Sequence, residues 1–259
     1  MAKALRLMKI KELLTERGAI DTQTLCALTG VSKVTIRSDL IHLEEEGFLH
    51  RTYGGAVLRK DGNASDSAAA VPADSSEKMR RLAELGGVVQ RHVASASWVM
   101  LGYGVTCREI ARSLLNQNIR VVTGNIDAAV ILSESSTVEI FIPGGYLRRH
   151  YNYLMLNGEW YQKALVGLTV DQAYIGVAGI DPSGFTVGDV LECQTLELIR
   201  KIAREVIVVI DSGKFDRTAF FRLGDLEYAD TIITNDDIPD SYRELFREKN
   251  IRFLTPSSL

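Results

Sequence analysis

Residues 31–57, VSKVTIRSDLIHLEEEGFLHRTYGGAV, leave a chain little choice of fold. Ile36, Leu40 and Leu43 fall at i, i+4 and i+7 and share one helical face, and Val31 can pack beneath them. Ser32 sits where an N-cap belongs, its hydroxyl placed to accept from a first-turn N–H. The opposite face carries Lys33, Thr35, Arg37, Ser38 and Ile41, mostly short polar or cationic side chains gathered in the first two turns. Such a face suits insertion into a DNA major groove. Glu44, Glu45 and Glu46 at the far end would be repelled by phosphate, so the helix should enter the groove by its N-terminus. Gly47 stops it. Residues 48–53 and 56–59 then read as two short strands around Gly54-Gly55, a pair that tolerates positive φ and signals a hairpin. Helix, glycine stop and basic hairpin, in that order, spell a winged helix-turn-helix with Arg51 and Arg59 available for phosphates. Ser32, Lys33, Thr35, Arg37, Ser38, Arg51 and Tyr53 are the candidate DNA contacts.

Upstream, residues 5–17 place Leu7, Ile10, Leu13 and Leu14 on one helical face, and Gly18 ends that helix. Asp21 or Thr22 can cap a second helix over residues 22–29 that buries Leu25 and Leu28, and Gly30 makes the tight turn into the third. Three short helices with a glycine turn before the last match the helix-turn-helix layout. The same region resembles the DNA-binding signature of the DeoR family of bacterial transcriptional regulators. The matching elements are V-S-x-V-T-I-R-x-D-L, then L-E-x-x-G, then R-x-x-G-G-A. The similarity continues more weakly to near the C-terminus.

The chain has 259 residues, enough for one large domain or two ordinary ones. Its net charge of −3 hides an asymmetry: residues 1–60 hold 10 Lys/Arg against 7 Asp/Glu, and the remainder 20 against 26. A basic head on an acidic body fits a DNA-binding domain joined to one that avoids DNA. No apolar run approaches the roughly 20 residues that cross a bilayer, and the N-terminus lacks a signal-peptide core, so a cytoplasmic protein with no membrane partner is expected. Three scattered cysteines build no disulfide framework, and four isolated histidines show no metal-ligand spacing. Neither a metal nor a cofactor is expected.

Residues 60–77, KDGNASDSAAAVPADSSE, are small, polar and aperiodic and read as a linker between a head at 1–59 and a body at 78–259. A helix over 78–92 follows, with Met79, Leu82, Leu85 and Val89 on one side. The chain then alternates short apolar strands (98–101, 121–123, 138–142, 173–177, 206–210, 231–233, 251–254) with helices. That alternation predicts an α/β domain with a mainly parallel sheet.

In such sheets ligands bind beyond the carboxyl ends of strands, where loops lead into helix N-termini. Gly102-Tyr103-Gly104-Val105-Thr106 follows a strand and opens a helix, so backbone N–H groups and a threonine hydroxyl can meet an anion there. Thr123-Gly124-Asn125 holds the same place on the next unit, and Pro143-Gly144-Gly145, with Arg148 and Arg149 beyond, on the third. Asp211-Ser212-Gly213-Lys214 ends a later strand and offers a lysine. Asp189 and Glu192 flank another helix start and could hold sugar hydroxyls. Together these turns point to a small polyhydroxy anion such as a phosphorylated sugar. The plainer alternative is a set of ordinary βα turns with solvated charges.

The DeoR resemblance implies a sensor domain similar to ribose-5-phosphate isomerase that binds a phosphorylated sugar. The family's D-x-G-[ST]-T turn is matched at Gly104 and Thr106, whereas Gly102 stands for the aspartate and Val105 for the first hydroxyl residue. The family's T-N-S is Thr123-Gly124-Asn125 here, its G-G is Gly144-Gly145, and its D-S-S-K-F is Asp211-Ser212-Gly213-Lys214-Phe215. The glutamate is kept as Glu192, and a lysine often found four positions on is Leu196. These departures strip polar groups from the pocket floor and leave room for a larger or less polar effector. The resulting expectation is a repressor of a carbohydrate operon, controlled by a phosphorylated sugar or similar anion. The competing reading is a sugar-phosphate isomerase or deaminase with a DNA-binding head. It would need an acid/base among Asp181, Asp189, Glu192 and Asp211, or a nucleophile at Cys107. A third, an interaction module without a ligand, leaves the turns unexplained. A single winged helix gives too little specificity for a genome, so a homo-oligomer, dimer or tetramer, is expected on operator DNA.

Overall fold

The computed structural model describes residues 3–45, 48–52, 54–58, 73–150 and 153–258. The chain forms two compact units, Met1–Ala69 and Ala70–Leu259. Glu46, Gly47, Tyr53, Arg59 and residues 60–72, on which part of the hairpin and linker reading rests, lie outside the described residues.

The first unit runs α1 (Lys3–Arg17), β1 (Ala19–Asp21), α2 (Thr22–Thr29), α3 (Lys33–Glu45), β2 (Leu49–Thr52) and β3 (Gly55–Leu58). Gly18, at φ +72°, ends α1. Asp21 caps α2, its carboxylate accepting from the Thr24 N–H at 2.7 Å. Gly30 closes α2 in the left-handed region at φ +69°. Ile10, Leu14, Leu25, Ile36, Leu40, Leu43 and Leu49 make the core, as helical spacing requires. Leu28 does not join it; the side chain is 38% exposed. Thr29 is buried instead, its hydroxyl donating to the Leu25 carbonyl at 2.5 Å. The wing has three strands rather than two, because β1 pairs antiparallel with β3 on the side away from β2. That pairing brings the Ile20 carbonyl oxygen to 2.1 Å from where a Cβ on Gly55 would stand, so the second glycine of the hairpin answers a close backbone approach. Asp39, the motif's acid, is 1% exposed and binds the Arg6 guanidinium through Nε and, at 3.1 Å, Nη2, which ties α1 to α3.

The second unit opens with α4 (Ala73–His92), which begins before Lys78. Then come β4 (Trp98–Leu101), α5 (Gly104–Ser113), β5 (Ile119–Thr123), α6 (Ile126–Leu132), β6 (Val138–Phe141), β7 (Tyr146–His150) and β8 (Tyr153–Asn157). After α7 (Glu159–Leu165) follow β9 (Val170–Gly176), β10 (Gly179–Asp181), β11 (Gly184–Val187), α8 (Val190–Ile202) and β12 (Ala203–Val209). The last elements are β13 (Phe221–Gly224), β14 (Thr231–Ile233), α9 (Asp240–Glu248) and β15 (Arg252–Leu254). Seven strands form one parallel sheet in the order β15-β14-β12-β9-β4-β5-β6. Alternate residues feed two cores: Met100, Val122, Ala173, Ile175, Val206 and Val208 on one face, and Val99, Leu101, Val121, Tyr174, Ile207 and Val209 on the other. Both faces are covered, which is why these strands read as unbroken apolar runs.

Three features depart from the sequence reading. β7 and β8 form a hairpin, and Arg148 and Arg149 lie within its outer strand rather than in a turn. β10, β11 and β13 make a small separate antiparallel sheet. On α4, Met79 is 37% exposed, whereas Leu82, Leu85, Val88 and Val89 are buried. Polar contacts fix α4 at its middle and at its C-terminal end. The Asn235 amide donates to the Arg81 carbonyl and the Glu84 carboxylate, each at 3.1 Å, and His92 Nδ1 lies 3.0 Å from the Tyr174 hydroxyl.

Candidate functional site

In the first unit the site is the outward face of α3. The Thr35 N–H reaches the Ser32 hydroxyl at 3.3 Å, the cap expected at this helix start. Because Ile36, Asp39, Leu40 and Leu43 are turned inward, Lys33, Val34, Arg37, Ser38 and Ile41 are turned to solvent, and Thr35 is half-buried. Lys33 and Arg37 carry no ion pair among the described residues, so their charge is available to a partner. Arg51 is placed differently. Its Nε lies 2.6 Å from the Glu44 carboxylate, and its backbone N–H donates to the same carboxylate at 2.9 Å. This clasp joins the wing to the end of α3 and leaves the Arg51 side chain 42% exposed. Val34, 76% exposed, belongs to this face although it is apolar.

In the second unit the site is built where β4, β9 and β12 end. Gly104 opens α5 at φ +87° with open space where a Cβ would stand. Val105 packs partly into the core on the α4 side, while Thr106 is buried beside Gly176 at the end of β9. Lys214, from the turn after β12, donates to the Val177 carbonyl at 2.7 Å and stands 3.7 Å from the Asp211 carboxylate. Asp189 caps α8, accepting from the N–H groups of Leu191 at 2.8 Å and Glu192 at 3.2 Å. Burial pushes the Glu192 carboxyl up to about 7, with Lys214 pulling it down and Asp189 pushing it up. Burial likewise lowers the Lys214 ammonium, against the pull of Asp211 and Glu192. The Cys107 thiol is pushed up to about 12 by burial, a thiol held protonated and poor as a nucleophile. The fold therefore gathers a glycine turn, a buried threonine, a largely buried lysine and a carboxyl that shares its field. A ligand bearing both an anionic group and hydroxyls finds complementary partners there.

Several residues read as ligand contacts are engaged by the fold itself. The Thr123 hydroxyl donates to the Leu101 carbonyl at 2.9 Å and accepts from the Asn125 N–H at 3.0 Å. The Asn125 side chain caps α6 through the Ala128 N–H at 3.2 Å and donates to the Gly104 carbonyl at 3.0 Å, locking one turn against the other. The Tyr103 hydroxyl donates to the Leu156 carbonyl at 2.6 Å within the core. A Cβ on Gly124 would meet the Tyr161 hydroxyl at 2.6 Å, and one on Gly102 would press on Ile175 at 3.2 Å. Ile175 thus occupies the room that a longer residue at position 102 would need. Gly144 and Gly145 line a separate cleft of about 480 Å³ with Tyr146, Trp160 and Ala164, and Arg148 is exposed on β7.

Other neighbours of the site were not read from the sequence. Arg81 on α4 lies 3.0 Å from where a Cβ on Gly213 would stand, and the Lys78 charge is felt by Lys214. His150, at the end of β7, sits in the field of Asp189 and stacks edge-on against Tyr153 at 5.4 Å. A basic pair at a helix start was the available signal for the first two; His150 offered none. Among the described residues no group of three or more His, Cys, Asp or Glu is placed to hold a metal ion, and no helix is long and apolar enough to cross a membrane.

Two family models match this chain: the DeoR-like helix-turn-helix domain over residues 6–61 and the DeoR C terminal sensor domain over residues 77–236. The HTH-type transcriptional repressor GlcR of Bacillus subtilis (strain 168) is 29% identical over 230 residues, 89% of this chain and 87% of that protein. The glycerol-3-phosphate regulon repressor of Escherichia coli (strain K12) is 29% identical over 250 residues, 94% of this chain and 95% of that protein. Among solved structures, ribose 5-phosphate isomerase A from Methanocaldococcus jannaschii overlaps 54% of this chain and 55% of its own, with 14% identity and a TM-score of 0.38.

Proposed function

Because this chain belongs to the DeoR family of transcriptional regulators, we propose that it is a cytoplasmic repressor of a carbohydrate-utilisation operon. In this reading it grips operator DNA through α3 and releases or tightens that grip when a phosphorylated sugar or similar small anion binds the second unit. Family membership sets aside the isomerase or deaminase reading: the chain is a regulator and not an enzyme.

The observation that carries the effector reading is the meeting of Lys214, Glu192 and the Gly104 turn at one end of the parallel sheet. Lys214 neutralises the anion, the N–H groups opening α5 approach it, and Glu192 and Asp189 accept from hydroxyls. Asn125 and Thr123 hold the turns that shape the site. On the DNA side, Lys33, Arg37 and Ser38 address the groove, Ser32 and Thr35 its entry, and the wing with Arg51 and Tyr53 the backbone. The active species is a homo-oligomer, dimer or tetramer, because one winged helix supplies too little specificity.

The test is operator binding by the full chain with and without sugar phosphates and glycerol phosphates, after a thermal-shift screen has chosen the compound that stabilises it most. Gly104→Val and Lys214→Ala should each abolish the response to that compound while leaving ligand-free DNA binding intact. A normal response from both variants would place the anion elsewhere. Sedimentation of the DNA-bound protein as a monomer would refute the oligomer.

A further inference from the structure

The exposed strip of α3 is not wholly polar. At 3.6 residues per turn the seam Ile36, Asp39, Leu40 and Leu43 points one way, and Val34, Ser38 and Ile41 fall at i, i+4 and i+7 on the opposite side. Val34 is 76% exposed and Ile41 41% exposed, and the cationic Arg37 flanks this line. An exposed β-branched residue in the first turn does nothing for the helix. Valine is a poorer helix former than alanine, and this one packs into no core. In a major groove, by contrast, the one apolar feature that a base pair offers is the 5-methyl group of thymine. The N-terminal turn of such a helix is also the part that reaches base edges.

We propose that Val34 is a specificity-determining residue that reads operator sequence by packing its methyl groups on the 5-methyl group of a thymine. Arg37 and Ser38 hydrogen-bond to neighbouring edges on either side of that contact. The proposal rests on α3 being the groove helix and adds the base that its apolar residue selects. Polar contacts on the same face cannot supply this selection, because hydroxyl and guanidinium groups distinguish thymine from cytosine by the O4 and N4 atoms and are indifferent to the methyl group.

The full-length protein is first used to select binding sites from a random duplex pool. Each thymine of the selected site is then replaced, one at a time, by deoxyuridine, which removes the methyl group and nothing else. At one or more positions wild-type binding should weaken about fourfold, what burial of one methyl group supplies. Val34→Ala should bind the thymine site about fourfold more weakly than wild type and lose nothing further on the deoxyuridine site. Val34→Thr, which keeps a methyl group, should retain part of the discrimination. Circular dichroism of Val34→Ala should match wild type, since no buried atom is removed. Deoxyuridine tolerated at every thymine, or costing Val34→Ala as much as wild type, would overturn the assignment while leaving the DNA-binding reading intact. A pool in which no site is enriched would overturn both.

Discussion

The outward face of α3 and the turns of the parallel sheet look alike in sequence, as both cluster Ser, Thr, Asn, Arg and Lys near helix starts. In three dimensions they differ. On α3 the cationic side chains expected to meet a partner, Arg37 and Lys33, stand in solvent with no ion pair among the described residues. In the second unit Thr123 and Asn125 are fully buried, and the fold's own backbone takes up their hydroxyl and amide groups. A recognition face is polar because its partner is outside. A βα turn is polar first because backbone groups at the end of a strand must be satisfied. Lys214, which itself spends one donor on the Val177 carbonyl, and Glu192 are marked in the second case by shifted ionisation rather than by exposure.

The sharpest way to press this contrast is to remove polar groups of each kind. Asp39→Ala leaves the Arg6 guanidinium without its carboxylate and should destabilise the first unit more than any other change named here. Hydrogen exchange of the α1 and α3 amides would register this as lost protection, and pairing Asp39→Leu with Arg6→Met should recover most of it. Asn125→Ala strips the cap of α6 and orphans the Gly104 carbonyl, so the second unit should lose about 2–3 kcal/mol in calorimetric unfolding. If Asn125 served the ligand alone, its loss would leave stability untouched. Arg37→Ala inverts the pattern. Operator affinity should fall by about 1–3 kcal/mol in gel-shift titrations, with the unfolding temperature unchanged.

The smallest effect is a pH slope. The folded protein holds the Glu192 proton up to about 7, whereas the unfolded chain releases it near 4.5. Between those values the native state binds the extra proton, so stability should fall as pH rises, by about 1–2 kcal/mol once partial solvation is allowed for. Urea midpoints measured across that window should show the decline in wild type and a flatter profile in Glu192→Gln. An equal slope in both would remove Glu192 from the list of perturbed groups.

What the sequence made legible follows the same division. The helices stood out because burial on one face imposes a period of 3.6 on the apolar residues, and the central strands because burial on both faces makes them short unbroken apolar runs. β4 and β14 could be bounded to the residue. β7 escaped notice because Tyr146 to Arg149 are all exposed, so no alternation marks that strand. β1, with three residues, is too short for any period, and its pairing with β3 shows only in what Gly55 must accommodate. Leu28 and Met79 carry the right spacing for their helices yet lie at the margin of the buried arc, where spacing no longer decides. His150 comes near the anion cluster through tertiary structure alone, and nothing local could have placed it there.

The strand order β15-β14-β12-β9-β4-β5-β6 also sets a timetable for the nascent chain. The first unit is complete once Leu58 has left the ribosome, and its contacts are local, so it can fold while the rest is still being made. β4, β5 and β6 can pair as they emerge, but one flank of β4 stays open until β9 arrives about 70 residues later, and β9 in turn waits for β12. Through that interval β4 presents an apolar edge, Val99 to Leu101, to whatever is nearby. A translational pause placed between β6 and β9 would prolong that exposure, and one placed after β12 would not.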